Sequence, residues 1–383
     1  MVNLLKSRIL FILLASTLLL SCSSSESSEQ KATKGLEDVL NRLEAVSIGA
    51  VVVKDNQIVY TESIGYKNME QKIALQDDDV FRIASISKSF VATGLLQLVD
   101  KDLISLDDDV SKLIGFDVRN PIFPDKVITL RMILSHTSSL TDAGGYYTLD
   151  PINPAVTKDV SASFNNYEPG SDYEYCNLGY NIAGTILEKV SRQRFDEYIV
   201  ENIFNKLGIY GGHNVNKLDS NLFVSLYGYE NGFINNHKDA YASRNKEIEN
   251  YILGYSTPLF SPTGGVKVSP TGLANYMMMH MNYGEKDGVR LISEVNSKAM
   301  QTPVENTDEG YGLALRHFDG WLEGVDAVGH TGSAYGTYSV MFFNPKEKWG
   351  IVAITNGYNL GKEQRSRDFL KSCVEVLHES FIK

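Results

Sequence analysis

The apolar positions change period three times in the first hundred residues. A mostly apolar run from Ile9 to Leu20 gives way to a polar stretch, Ser23 to Gln30. Leu36, Val39, Leu40 and Leu43 then recur at helical spacing and predict an amphipathic first helix. Next, Ala50 to Lys54 and Ile58 to Ser63 are β-rich runs joined at Asp55-Asn56, which reads as a hairpin. A matching pair stands near the other end: Thr337 to Phe343 and Gly350 to Thr355, separated by Asn344-Pro345-Lys346-Glu347-Lys348 and followed by a helical segment over about 363–382.

Between these ends, from about 106 to 306, most signals are helical: Leu130 to Ser135, Leu178 to Val190, Phe195 to Leu207, and Thr271 to Met281. Ser269-Pro270 supplies an N-cap and a proline at the first position of the last of these. The arrangement predicts an α+β fold, with an antiparallel sheet flanked by terminal helices and a mainly helical domain inserted between the sheet halves. The corresponding division is 36–105 with 307–383 for the sheet domain and 106–306 for the helical one. A chain of 383 residues with 43% apolar composition can bury cores for both.

Charge narrows the partners. Lys plus Arg number 36 against 47 for Asp plus Glu, a formal charge of -11, which disfavours phosphate backbones and anionic headgroups. Nucleic acid is not an expected partner. The acidic triplets Asp77-Asp78-Asp79 and Asp107-Asp108-Asp109 read as turn residues. The seven His residues include no His-x-His or His-Glu-x-x-His grouping, and the cysteines show no zinc-ligand spacing, so neither metal nor cofactor is expected.

Lys6 and Arg8 ahead of the run from Ile9 to Leu20 mark a targeting segment, too short to span a bilayer as a mature helix. Residues 1–21 are expected to be removed. Leu19-Leu20-Ser21-Cys22 resembles a bacterial lipobox, which implies lipidation of Cys22, a tether over 22–35, and an exported lipoprotein anchored at the periplasmic or cell-surface side.

The candidate chemistry starts at Ser85-Ile86-Ser87-Lys88, where the strand-like run Val80 to Ile83 passes into a helical stripe of Val91, Leu95, Leu98 and Val99. Residues three apart share a helix face, so Lys88 can reach the Ser85 hydroxyl. A serine hydroxyl is a weak nucleophile, and a lysine of lowered pKa can activate it. Ser28-Glu29-Gln30-Lys31 and Ser243-Arg244-Asn245-Lys246 have the same spacing but lack that junction. Tyr175-Cys176-Asn177 follows the turn Glu168-Pro169-Gly170 and precedes a helical stripe; its Tyr can move a proton and its Asn can hold a substrate carbonyl. Tyr66-Lys67-Asn68 and Tyr229-Glu230-Asn231 share the Tyr-x-Asn pattern. His330-Thr331-Gly332 occurs once, directly before a β-run, and an N–H there could pair with that of Ser85 as an oxyanion hole.

In this order the three elements resemble those of the serine β-lactamase and penicillin-binding-protein superfamily, in its class C-like branch. Phe81-Arg82-Ile83-Ala84-Ser85, Leu134-Ser135-His136-Thr137-Ser138, Gly264-Gly265 and Tyr311-Gly312-Leu313 also look like family segments. The resemblance implies a β-lactamase/transpeptidase-like fold with the active site between its two parts. It implies Ser85 as nucleophile of an acyl-enzyme and Lys88 and Tyr175 as the proton-transfer pair, with either one as acylation base. It also implies Asn177, His330, Thr331 and Gly332 as substrate contacts, and the Ser333 N–H as second oxyanion donor. His136 and Cys176 read as structural. Because His330 stands where class C β-lactamases usually carry Lys, a fixed cation for a lactam carboxylate is missing or pH-dependent. The expected activity is therefore that of a D-Ala-D-Ala-type carboxypeptidase, D-amino-acid peptidase or esterase. A class C-like β-lactamase and a penicillin-binding sensor without turnover are the alternatives.

Overall fold

The computed structural model describes residues 26–235, 237–307, 310–361 and 366–383. The expected signal segment, residues 1–21, and Cys22 lie outside the described residues. Helix α1 (Ser28–Arg42) starts within the stretch assigned to a tether. The reason is a capping box: the Ser27 hydroxyl accepts from the Gln30 N–H at 3.1 Å, and the Gln30 side chain accepts from the Ser27 N–H at 2.9 Å. Two backbone donors are satisfied before the apolar stripe begins, so a polar run can open the helix.

Strands β1 (Ser47–Lys54) and β2 (Gln57–Asn68) form the expected hairpin, with Lys54 opposite Gln57. Asp55 and Asn56 take φ values of 51° and 62°, the left-handed pair whose twist matches that of the strands. A short β3 (Ile73–Ala74) follows, then β4 (Phe81–Arg82), which leads into helix α2 (Ser87–Val99). Ser87 to Leu98 of α2 are all buried, so this helix runs through the interior rather than along the surface. Helix α3 (Asn177–Ser191) packs against it. The helix expected over 195–207 is interrupted by a π-helical turn, Val200–Phe204. Strand β5 (Gly211–Gly212), strand β6 (Lys267–Val268) and helix α4 (Pro270–Met281) come next; Ser269 caps α4 by accepting from Gly272 N at 3.1 Å. The chain ends with β7 (Arg316–His317), β8 (Val328–Ala334), β9 (Thr337–Asn344), β10 (Trp349–Thr355) and α5 (Ser366–Phe381).

The main sheet has seven antiparallel strands in the order β7-β8-β9-β10-β1-β2-β3, so the terminal halves of the chain meet where β10 pairs with β1. Alternation assigns the two faces. Ile48, Ala50 and Val52 of β1, with Ile351 and Ala353 of β10, pack beneath Leu36 and Val39 of α1 and Phe369, Cys373 and Leu377 of α5. Val51, Val53, Val352 and Ile354 join the opposite core with Phe81, Phe90 and Met277. Helix α4, which the sequence division grouped with the helical insert, lies on this second face of the sheet. Two glycines admit it: a Cβ at Gly49 would meet Pro270 at 2.8 Å, and one at Gly350 would meet Met277 at 2.5 Å. Beside the main sheet, β4, β6 and β5 form a small one with β6 in the middle.

Buried Asn356, just after β10, ties three segments together. Its carbonyl oxygen accepts from Ser47 Oγ at 2.7 Å, and its amide donates to the carbonyls of Tyr66 at 3.2 Å and Ser225 at 2.8 Å. Asn356→Ala leaves these partners unpaired in a dry site, and should lower the unfolding free energy by about 2–4 kcal/mol. A fall in the denaturation midpoint with an unchanged slope would show it.

Candidate active site

The path from β4 to α2 must reverse direction within a few residues, and backbone contacts hold it there. Ile83 N donates to Val266 O at 3.1 Å, and Ser339 Oγ donates to Ile83 O at 2.9 Å. Ala84 takes a φ of 47°, a left-handed conformation costly for a residue with a Cβ. Ser85 follows on a one-turn 3₁₀ helix (Ala84–Ile86) that runs into α2. Strand β8 passes this turn at backbone contact. A Cβ on Gly332 would fall 2.2 Å from Ile83 O and 3.1 Å from Ala84 Cβ, so only glycine brings β8 this close.

Lys88 is wholly buried one turn after Ser85. Its Nζ lies 3.3 Å from Ser85 Oγ and donates to Thr263 O at 3.0 Å. The ring centroids of Tyr175 and Tyr180 stand 4.8 Å and 5.7 Å away. Burial lowers the Lys88 pKa to about 7, against smaller upward pulls from Asp142 and Cys176. An amine at Ser85 is therefore well populated at neutral pH. Tyr175 behaves oppositely: burial pushes its phenol pKa up, and the nearby Ser85 side chain only partly offsets this. Its approach to Ser85 falls short of hydrogen-bond geometry, and its hydroxyl has no partner. It enters the site as a neutral phenol with a free donor.

Asp142, which no sequence motif singled out, organises the second element. One carboxylate oxygen accepts from Leu178 N at 2.9 Å and from Cys176 Sγ at 3.4 Å. The other accepts from Asn177 N at 3.1 Å and Asn177 Nδ2 at 2.8 Å. The contact caps the N-terminus of α3 with a negative charge, where the helix dipole favours one. It also fixes the Asn177 amide, leaving its carbonyl oxygen for other partners. His136 completes the support: its Nδ1 accepts from Cys176 N at 3.0 Å, and its ring packs on Tyr175 at 4.3 Å. Burial and the adjacent Lys88 keep it neutral. Cys176 is buried with a raised thiol pKa, so packing accounts for it.

His330 lies in β8 but faces inward. Its Nε2 is 2.9 Å from Tyr311 Oη, the ring is almost fully buried, and burial with Lys88 and Arg316 nearby lowers its pKa to about 3. It is neutral at any ordinary pH, so the pH-dependent cation allowed by the sequence does not arise. A cleft of about 840 Å³ opens over Ser85, Tyr175 and Asn177. From the third element, Ser333 and Ala334 of β8 line it, together with Tyr335, whereas His330, Thr331 and Gly332 do not. The His330 ring is turned inward toward Tyr311. The decoys separate cleanly: Ser28 and Ser243 are exposed and line no part of this cleft. Among the described residues no group of three or more His, Cys, Asp or Glu could hold a metal, and no helix is long and apolar enough to cross a membrane.

A family model described as Beta-lactamase matches residues 36–374. Protein flp of Staphylococcus aureus (strain N315) is 22% identical over 339 residues, covering 86% of this chain and 63% of that protein. The chain thus spans under two thirds of the length of that relative. The octameric penicillin-binding protein homologue from Pyrococcus abyssi superposes with a TM-score of 0.71 at 23% identity, covering 91% of this chain and 77% of that one. The D-amino acid amidase from Ochrobactrum anthropi SV3 complexed with D-phenylalanine gives 0.70 at 17% identity, covering 92% and 99%. These likenesses show a shared fold.

Two outcomes follow from the geometry. If the Lys88 amine drives acylation, kcat/KM for an ester should rise with pH through about 7 and then level, because protonated Lys88 cannot accept the Ser85 proton. His330, neutral down to about 3, should add no second limb between about pH 5 and 8. Gly332→Ala forces β8 away from the Ser85 turn and should lower kcat/KM by about 100-fold or more, as loss of an oxyanion donor does. Circular dichroism on the same sample would check that the chain still folds.

Proposed function

The chain belongs to the beta-lactamase family, and we propose that it is a serine hydrolase working through an acyl-enzyme on small D-amino-acid peptides, amides or esters. The observation that carries this reading is the buried Lys88 amine beside Ser85, at the floor of a cleft that also presents the Tyr175 hydroxyl and the Asn177 side chain.

In the proposed reaction Lys88 takes the Ser85 proton as Oγ bonds to the substrate carbonyl carbon. Negative charge gathers on the carbonyl oxygen, toward the N–H groups of Ser85 and Ser333. Tyr175 then gives its proton to the departing nitrogen or oxygen and recovers one from Lys88, so the bond to the leaving group breaks without expelling an anion. Water, activated by the same pair, releases the acid and frees Ser85. The pKa directions support this division of labour, since an amine is available at neutral pH and a phenolate is not.

Neutral His330 favours peptides, amides and esters over β-lactams, because the third element offers no fixed cation for a lactam carboxylate. The likeness to a D-amino acid amidase is in keeping with that preference. Export as a lipoprotein through Cys22 is the proposed location and rests on the sequence alone.

Purified protein should hydrolyse members of a D-aminoacyl peptide, amide and ester panel, and acylate slowly with penicillin. Ser85→Ala should remove about 10⁴-fold or more of that turnover. Fast turnover of cephalosporins alone would assign a β-lactamase instead. A persistent penicillin adduct with no turnover anywhere in the panel would assign a sensor.

A further inference from the structure

Arg82 is the second residue of β4, three positions before Ser85, and its side chain lines the same cleft. Its side chain is partly buried, and the ionisable groups that act most on its charge are the hydroxyls of Tyr335, Tyr241 and Tyr146, with no carboxylate among them. Its Nε has no hydrogen-bond partner. Asp150 and Asp239, the acids on the cleft wall, form no ion pair with it. The other cations there are engaged: Lys267 Nζ donates to His213 O at 2.8 Å and Gly265 O at 3.0 Å, and Arg244 pairs with Glu247 at 3.1 Å. A guanidinium held against the cleft wall without a carboxylate partner keeps its charge, because it does not escape by losing its proton. Its natural complement is an anion delivered by a ligand.

The position of Arg82 says which part of the substrate carries that anion. Tyr175, the proton donor to the leaving group, lies toward His330, with ring centroids 6.4 Å apart. Arg82 lies toward Tyr335, with Cζ 4.7 Å from that ring's centroid. Tyr335 is five residues beyond His330, in the turn that follows the end of β8. Along β8, then, Tyr175 lies by His330 and Arg82 by Tyr335, with Ser333 between these two positions in the chain. Gly264 connects Arg82 to the nucleophile turn, since a Cβ there would stand 3.6 Å from both Arg82 Nη2 and the Ala84 backbone.

We propose that Arg82 binds a carboxylate on the acyl portion of the substrate, so that the cleft selects acyl donors carrying a second, free carboxylate. These are monoesters or monoamides of dicarboxylic acids, or peptides with an acidic residue on the acyl side of the scissile bond. Guanidinium geometry suits two parallel N–H···O bonds to such a group, and the Tyr335 ring holds the guanidinium over its face. The specificity rests on the hydrolase reading above; the binding does not.

The test compares mono-p-nitrophenyl adipate with p-nitrophenyl hexanoate. Wild type should favour the charged ester in kcat/KM by about 10-fold or more, mainly through KM, and Arg82→Gln should collapse that ratio while Arg82→Lys keeps part of it. In wild type, adipate should inhibit competitively and more strongly than hexanoate. An unchanged ratio in Arg82→Gln, or equal inhibition by the two acids, would overturn the proposal. Calorimetric titration of monomethyl adipate into Ser85→Ala, with and without Arg82→Gln, decides the binding even if hydrolysis is absent. About 10-fold weaker binding in the double variant supports it, and equal binding refutes it. Turnover of the neutral ester that survives Ser85→Ala would instead count against the hydrolase reading.

Discussion

The removal of Lys88 from water is the constraint on which the site depends. An ammonium in bulk solvent holds its proton far too tightly to serve Ser85 at neutral pH; stripped of water, with only Thr263 O as its nearby backbone acceptor, it does not. The surroundings are arranged not to restore the charge. Tyr175 and Tyr180 present rings, and the neighbouring histidines, His136 and His330, are neutral. Asp142 pulls the other way, but its carboxylate is occupied by four donors at the start of α3. The same carboxylate thus fixes Asn177 while exerting only a secondary effect on Lys88.

That burial is in turn a property of the whole fold. Helix α2 can hide a lysine because it is enclosed on all sides, with the sheet-side core, α3 and α4 around it. Glycines do the close work. Gly49 and Gly350 let α4 settle on the sheet, and Gly332 lets β8 reach the Ser85 turn. The strained Ala84 persists because Val266 and Ser339 hold its neighbour Ile83 from two sides.

What the sequence reveals and conceals follows the range of the interactions. The hairpin at Asp55-Asn56, the cap at Ser269 and the junction at Ser85 are set by residues a few positions apart, and each is legible from pattern. The capping box at Ser27 was equally local, but the polar composition around it masked a helix start. The orientation of His330 was not legible, because it depends on Tyr311, nineteen residues away, and on the packing that buries both. Asp142 is hidden for the same reason: nothing near it in sequence shows that it will cap α3, and its place in a Thr-Asp-Ala-Gly-Gly turn is the one local signal of a capping role. The placement of α4 on the sheet required knowing which strands carry glycine opposite it.

Lys88 and Arg82 show how one physical effect yields two roles. Both are basic side chains on either side of the same nucleophile turn, and burial acts on both in the same direction. The amine responds by giving up its proton within the neutral range, which makes it a base. The guanidinium starts too high to do so and stays charged, which makes it a site in need of an anion. An arginine at position 88 would never accept the serine proton. The residue types at these two positions are therefore not interchangeable, and six residues along the chain separate the proton-transfer group from the proposed anion site.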